Sequence, residues 1–185
     1  MESKSKRAME LLRRQGLGTL LDESFRWFFS NTKFASNLRY SISKYQIEKR
    51  MQREDDMSDI LDTALEIKPG IPPYEVFAMQ LRDELSDLID ILSSQDPQVV
   101  LELGTAKGGT LYTWSRCFNP TIISVDLPSG EFGGGYPKEK ESIYELFTED
   151  IELIRGNTHS TDTYMEVEGI VNDLPSKVDF LFIDG

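Results

Sequence analysis

The fold is decided by the stretch Val99-Val100-Leu101-Glu102-Leu103-Gly104-Thr105-Ala106-Lys107-Gly108-Gly109-Thr110. Its first five residues are apolar except for Glu102, which is typical of a buried strand. The glycines that follow indicate a tight turn, and the residues after them have the pattern of a helix. A second apolar strand, residues 122–125, ends on Asp126. A strand, a glycine turn, a helix and a strand that ends on an acid predict half of a parallel sheet with a ligand at its strand ends.

The residues of the glycine turn distinguish between the kinds of ligand that such a unit can bind. The dinucleotide fingerprint Gly-x-Gly-x-x-Gly fails because Ala106 stands two residues after Gly104, and a P-loop fails because Thr110 follows Gly109 directly. Glu102 lies two residues before the first glycine, and a carboxylate suits a cationic ligand better than a pyrophosphate. S-adenosylmethionine carries an ammonium and a sulfonium group, so Glu102 favours this cofactor. The alternative is a turn whose glycines only permit tight packing.

Four blocks of sequence resemble class I S-adenosylmethionine-dependent methyltransferases, most of all the cephalosporin hydroxylase-like and rhamnosyl O-methyltransferase-like group. They are ELGTAKGGT (102–110), ISVDLP (123–128), RGNTHS (155–160) and FLFIDG (180–185). The resemblance covers roughly residues 71–185 and implies an α/β, Rossmann-like methyltransferase sheet. Only the first four parallel strands of that sheet are present, so we expect a C-terminally truncated part of a longer protein. Residues that complete the acceptor site would then lie beyond Gly185.

The resemblance also implies roles for particular residues. Methyl transfer would go to a hydroxyl of a sugar or natural-product-like small molecule, and it needs positioning and deprotonation of that hydroxyl. Asp184, at the tip of the fourth strand, is the predicted catalytic residue and the predicted ligand of a divalent metal such as Mg²⁺, and whether a metal is required stays open. A solvated acid at a strand end is the alternative. The predicted cofactor-binding residues are Glu102, Gly104, Thr105, Ala106, Gly108 and Asp126, with Asn157 and Ser160 beside the adenine.

Two reactive residue types occur once each. His159 is the only histidine, and it is either a general base or an exposed loop residue. Because Cys117 is the only cysteine, an internal disulfide is excluded, which fits a reducing compartment. The apolar neighbours of Cys117 predict that it has a packing role. Two other functions stay open for the chain: a nicotinamide-dependent oxidoreductase and a non-catalytic cofactor-binding or docking module.

The charge is divided along the chain. The net charge of −12 combines +7 over residues 1–53 with −19 over residues 54–185. The acidic part disfavours nucleic acid. The basic, amphipathic front favours peripheral contact with the inner face of a membrane or with a partner's groove, and the alternative is packing on its own domain or across a homo-oligomer. No apolar run reaches the ~20 residues that span a bilayer, and no signal-peptide core is present, so we expect a cytoplasmic protein.

Prolines at 69, 72 and 73 predict a boundary between a helical extension, residues 1–68, and the methyltransferase domain, residues 69–185. Apolar spacing predicts helices over 46–66, 74–93, 138–149 and 161–172 and further strands over 151–154 and 178–183. The glycine-rich loop 127–137 is either a lid over the ligand or a plain surface connection.

Overall fold

The computed structural model describes residues 33–128 and 135–184. The chain forms two compact units, residues 1–41 and 42–185, and the sheet and the site discussed below belong to the second. Most of the basic front, residues 1–32, lies outside the described residues, so its predicted membrane or partner contact stays a prediction. None of the described helices combines the length and apolar character that crossing a membrane requires.

Helices alternate with strands from the middle of the chain onward. The elements are α1 (Lys33–Met51), α2 (Met57–Leu61), a π-helical segment (Asp62–Ile67), α3 (Arg82–Ser93), β1 (Val99–Leu103), α4 (Gly109–Phe118), β2 (Thr121–Asp126), a 3-10 turn (Lys138–Lys140), α5 (Glu141–Tyr144), β3 (Ile151–Arg155), α6 (Thr161–Asp173) and β4 (Phe180–Ile183).

The four strands form one parallel sheet in the order β3-β2-β1-β4. Glu102 of β1 lies in register between Ser124 of β2 and Phe182 of β4. The chain builds outward from β1 through β2 to β3 and then returns to the other side of β1. Ligands of open α/β sheets bind at the carboxyl ends of the strands where the order reverses in this way. The structure confirms the predicted α/β class and all four parallel strands.

Helices lie on both faces of the sheet, as is usual for parallel sheets, but one face is open at β4, where Leu181 and Ile183 are 49% and 66% exposed. On one face, Trp114 of α4 packs edge-on against Phe180 and Phe182, with ring centroids 5.3 Å apart in each pair. On the other face, α6 covers the sheet. The apolar cluster there comprises Ile123, Val125 and Ile154, with Leu101, Leu103, Val167, Ile170, Val171 and Leu174 packed against it.

Three predicted helices differ from the observed ones. The helix over 46–66 is interrupted between Met51 and Met57, and the one over 138–149 ends at Tyr144. The helix over 74–93 begins only at Arg82. Residues 74–81 are extended instead because their backbone has other partners: the N–H groups of Val76 and Ala78 donate to the carbonyls of Pro69 and Ala64 at 2.9 and 2.8 Å.

The domain boundary predicted at position 68 stays a prediction. Residues 42–67 belong to the same unit as the sheet, and they contact α4. The Arg116 Nε atom lies 3.0 Å from Oε2 of Glu54, whose side chain is only 1% exposed. The prolines do end the helical segment before Pro69, but the chain then continues along the sheet domain without leaving it.

Candidate ligand-binding site

The turn after β1 depends on Gly104. This residue has φ +102°, and a Cβ atom there would lie 1.8 Å from the carbonyl oxygen of Asp184. Its N–H donates to the carbonyl of Val125 at 2.8 Å, and the N–H of Asp184 donates to the carbonyl of Leu103 at 2.9 Å. Only glycine permits this close approach. The carboxyl ends of β1, β2 and β4 are thereby joined at one point.

The rest of the turn is packed from two sides. A Cβ atom on Gly108 would lie 2.3 Å from Cε1 of Tyr144, and one on Gly109 would lie 1.9 Å from the backbone nitrogen of Ala78. Ala106 itself adopts φ +44°, a left-handed conformation that costs an alanine about 1 kcal/mol. The turn is therefore held in shape by its surroundings.

Glu102 is completely buried. Its Oε1 accepts a hydrogen bond from Nε1 of Trp114 at 3.3 Å and its Oε2 accepts one from Oγ of Ser124 at 2.8 Å. Ser124 in turn lies 2.6 Å from Oγ1 of Thr105. Burial is the main cause that raises the pKa of Glu102 to about 7, against the hydrogen bonds that lower it. Both oxygens serve protein donors, so Glu102 reaches the turn through Ser124 and Thr105, and its direct contact with a cofactor stays a prediction.

Asp126 meets the glycine turn directly. Its Oδ2 accepts a hydrogen bond from the N–H of Ala106 at 2.6 Å, and its Oδ1 accepts one from the N–H of Leu127 at 2.7 Å. The side chain is largely buried at the end of β2. The structure thus brings together two residues that the sequence predicts for the same site, 20 positions apart.

Two side chains that sequence reasoning missed hold the turn from the opposite side. The Tyr144 hydroxyl donates to the carbonyl of Ala106 at 2.9 Å, and Nζ of Lys140 donates to the carbonyl of Lys107 at 3.1 Å. Lys140 is 1% exposed. Burial, followed by the charge of Lys107, lowers its pKa to about 7. Nothing in the polar run Lys138–Glu141 indicates that one of its lysines is buried.

Asp184 lies exposed at the rim of this site. Its Oδ2 accepts a hydrogen bond from Nε2 of Gln80 at 2.5 Å. Over residues 33–128 and 135–184, no three His, Cys, Asp or Glu side chains form a group that could hold a metal ion. The predicted metal site at Asp184 therefore stays a prediction, and we derive no step through a metal.

The residues predicted beside the adenine make local contacts after β3. Oγ of Ser160 accepts a hydrogen bond from the N–H of Asp162 at 3.3 Å and caps α6. Oδ1 of Asn157 accepts one from the N–H of His159 at 2.9 Å, and the His159 side chain is exposed. Their roles in adenine recognition and in base catalysis stay predictions.

Cys117 lies on α4, away from the glycine turn. Burial, with the nearby charge of Glu54, raises the pKa of its thiol to about 11. The thiol is therefore protonated at neutral pH, which suits the packing role that the sequence predicts.

No protein-family model and no curated protein matches the chain. Similar solved structures include the O-methyltransferase TomG from Streptomyces achromogenes in complex with SAM, at 12% identity and TM-score 0.42 over 80% of this chain and 62% of that one. An O-methyltransferase from Bacillus cereus with SAH has 15% identity and TM-score 0.41, over 78% and 60%. The SAH-bound Podospora anserina methyltransferase PaMTH1 has 16% identity and TM-score 0.39, over 84% and 58%.

The chain thus spans 58 to 62% of the length of these three structures.

Proposed function

We propose that the chain forms the S-adenosylmethionine-binding part of a methyltransferase that acts on a hydroxyl oxygen of a small molecule. The observation that carries this proposal is the 2.6 Å hydrogen bond between Asp126 and the N–H of Ala106. It fixes a carboxylate and the glycine turn against each other at the strand ends where the sheet order reverses. This is where ligands of open α/β sheets bind.

The hydrogen bonds of the turn argue against a phosphate-bearing ligand. A phosphate cradle needs backbone N–H groups that point at the ligand. Here the N–H groups of Gly104, Gly108 and Gly109 donate to the carbonyls of Val125, Thr105 and Phe77 at 2.8, 2.7 and 3.2 Å, and that of Ala106 donates to Asp126. Four amides of the turn are therefore already used within the protein, which disfavours the pyrophosphate of a nicotinamide cofactor.

The charges at the strand ends suit a cationic ligand. Carboxylates stand at the ends of the two strands that flank β1: Asp126 in β2 and Asp184 just after β4. Glu102 in β1, whose pKa is raised to about 7, carries only part of a negative charge at neutral pH. The nearby Lys140, whose pKa is lowered to about 7, carries only part of a positive charge at neutral pH. This donor chemistry fits S-adenosylmethionine, with its ammonium and sulfonium groups.

Each residue of the site would have a separate task. Asp126 has lone pairs left to accept hydrogen bonds from ribose hydroxyls, while Asn157 and Ser160 at the end of β3 would lie beside the adenine. Asp184, exposed and oriented by Gln80, is the group best placed to take the proton of an acceptor hydroxyl. When bound, the cofactor supplies a methyl group on a sulfonium that leaves readily. That the acceptor is a sugar or natural-product hydroxyl is proposed from the sequence resemblance alone.

Calorimetric titration of the folded chain with S-adenosylhomocysteine and with NAD tests the proposal. We expect binding of the first and none of the second. Asp126→Asn should weaken binding about 10-fold, the loss expected for a charge-assisted hydrogen bond. Asp173→Asn, an exposed change at the end of α6, is the matched control and should leave it unchanged. Binding of NAD alone would favour an oxidoreductase, and silence with both ligands would favour a docking module.

A further inference from the structure

Tyr136 has a buried hydroxyl without a partner. The side chain is 1% exposed, and its oxygen has no hydrogen-bond partner in the described part of the chain. Buried polar groups are nearly always paired, and an unpaired one in a folded protein calls for a reason such as a bound ligand. Phenylalanine would fill the same space without this cost.

Three residues contact the ring or the backbone of Tyr136. The ring of Tyr144 packs edge-on against it, with centroids 5.0 Å apart. The guanidinium of Arg155 lies 6.0 Å from its centroid, and Nη2 of Arg155 donates to its carbonyl at 3.4 Å. Pro128 forms an isolated parallel bridge with it. Contacts of its ring and of its backbone therefore hold Tyr136 in place.

The residues that contact Tyr136 either belong to the candidate site or lie next to it. Tyr144 holds the carbonyl of Ala106 in the glycine turn. Arg155 is the register partner of Asp126 at the ends of β3 and β2, and Pro128 lies two residues beyond Asp126. Tyr136 therefore stands beside the carboxyl end of β2, where the ribose side of the ligand is proposed to bind.

The surroundings keep the hydroxyl protonated. Burial raises the pKa of Tyr136 above its usual value, and the negative charges of Glu141, Asp126 and Glu102 raise it further, against Arg155, which lowers it. At neutral pH the group is therefore an O–H donor that is still unused.

We propose that Tyr136 is a further cofactor-binding residue, whose hydroxyl forms a hydrogen bond with a polar atom of the nucleoside half of the ligand next to Asp126. This inference rests on the proposed function, because it concerns the same site. It assigns a contact to a described residue of the 127–137 loop. The sequence predicts either a lid or a surface connection for this loop, and both stay predictions because residues 129–134 lie outside the described residues.

Tyr136→Phe tests the inference by two measurements on the full chain. Calorimetry with S-adenosylhomocysteine should show a dissociation constant about 3- to 10-fold higher than that of the wild type, as expected for one neutral hydrogen bond. Thermal unfolding without ligand should show an unchanged or higher midpoint, because no protein partner is lost. Tyr164→Phe is the matched control: its hydroxyl is on an exposed side chain and donates to Glu168 at 2.8 Å, so ligand affinity should stay the same.

The outcomes separate this inference from the proposed function. Unchanged affinity of Tyr136→Phe, with the wild type binding normally, overturns the role of Tyr136 and leaves the methyltransferase proposal standing. A clear fall in the unliganded unfolding midpoint also overturns it, since the hydroxyl would then have a partner within the protein. A folded wild type that does not bind S-adenosylhomocysteine overturns the proposed function itself.

Discussion

The indole of Trp114 donates a hydrogen bond to Oε1 of Glu102 across 3.3 Å, inside the sheet domain. The carboxyl of Glu102 is thus an ionisable group that lies in the middle of the fold, where water does not reach it. Desolvation favours the neutral form of a carboxyl, and this is the main reason that the pKa of Glu102 is raised from 4.5 to about 7.

Glu102→Gln should remove a pH dependence of stability. The folded pKa lies above the unfolded one, so between pH 4.5 and about 7 the unfolded state releases the proton first. The free energy of unfolding therefore falls as the pH rises through this window. Above the window Glu102 is ionised in both the folded and the unfolded state, so its contribution to the free energy of unfolding remains at its minimum. Between the two ends of this window, the contribution of Glu102 to the free energy of unfolding changes by about 3 kcal/mol. Urea unfolding from pH 5.5 to 8, above the pI of about 4.6, should show a flatter profile for the variant.

Glu166→Gln, an exposed change on α6, is the control for this profile. It should follow the wild-type curve at every pH. Equal slopes for Glu102→Gln and the wild type would mean that Glu102 is ionised in the folded protein at pH 5.5.

The elements around the site follow from local sequence, while the contacts that complete it do not. The apolar run before Gly104 and the acid that ends β2 each lie within a few residues of the feature they predict. Tyr144 and Ala106 are 38 positions apart, and no spacing rule joins a tyrosine in one segment to a carbonyl in another. Lys140 is missed for a related reason: a lysine among charged neighbours has the composition of a surface.

The helix predicted over 74–93 shows a second limit of periodicity. Apolar residues recur at helical intervals throughout this stretch, and α3 does form over its second half. The first half is extended because Phe77 forms an isolated parallel bridge with Gly108, next to the site. The spacing shows which side chains are apolar, but the tertiary fold determines which backbone groups form hydrogen bonds outside a helix.

Gly104→Ala should destabilise the chain by about 2–4 kcal/mol, the range for a backbone conformation and a space that a side chain does not fit. The added Cβ would lie 1.8 Å from a backbone oxygen of Asp184, which cannot move as a flexible side chain would. Gly169→Ala is the matched control because a Cβ there meets nothing within 4 Å, and in the middle of α6 alanine should add up to about 1 kcal/mol. Chemical denaturation measures both, and a loss below 1 kcal/mol for Gly104→Ala would contradict the close contact.

Arg116→Met should cost about 3–5 kcal/mol, because it leaves the buried carboxylate of Glu54 without its cation. Arg116 also donates to the carbonyl of Met51 at 3.0 Å, so it joins the end of α1 to α4. The comparison is Lys44→Met, which removes a pair with Glu48 in which both side chains are 43% exposed. That change should cost less than about 0.5 kcal/mol. Similar unfolding free energies for the two variants would show that burial adds nothing to the Arg116 pair.

Lys140→Met should flatten the stability profile on the alkaline side, the opposite direction from Glu102. The folded pKa of about 7 lies below the ordinary value of 10.5, so above pH 7 the folded state gives up its proton before the unfolded state does. The free energy of unfolding consequently rises with pH, by at most about 1.4 kcal/mol per pH unit. Lys138→Met, two residues away and exposed, should retain the wild-type slope between pH 7 and 9. If Lys140→Met also retained the wild-type slope, Lys140 would have to be charged in the folded protein at these pH values. The turn would then be held by a full positive charge next to the carbonyl of Lys107.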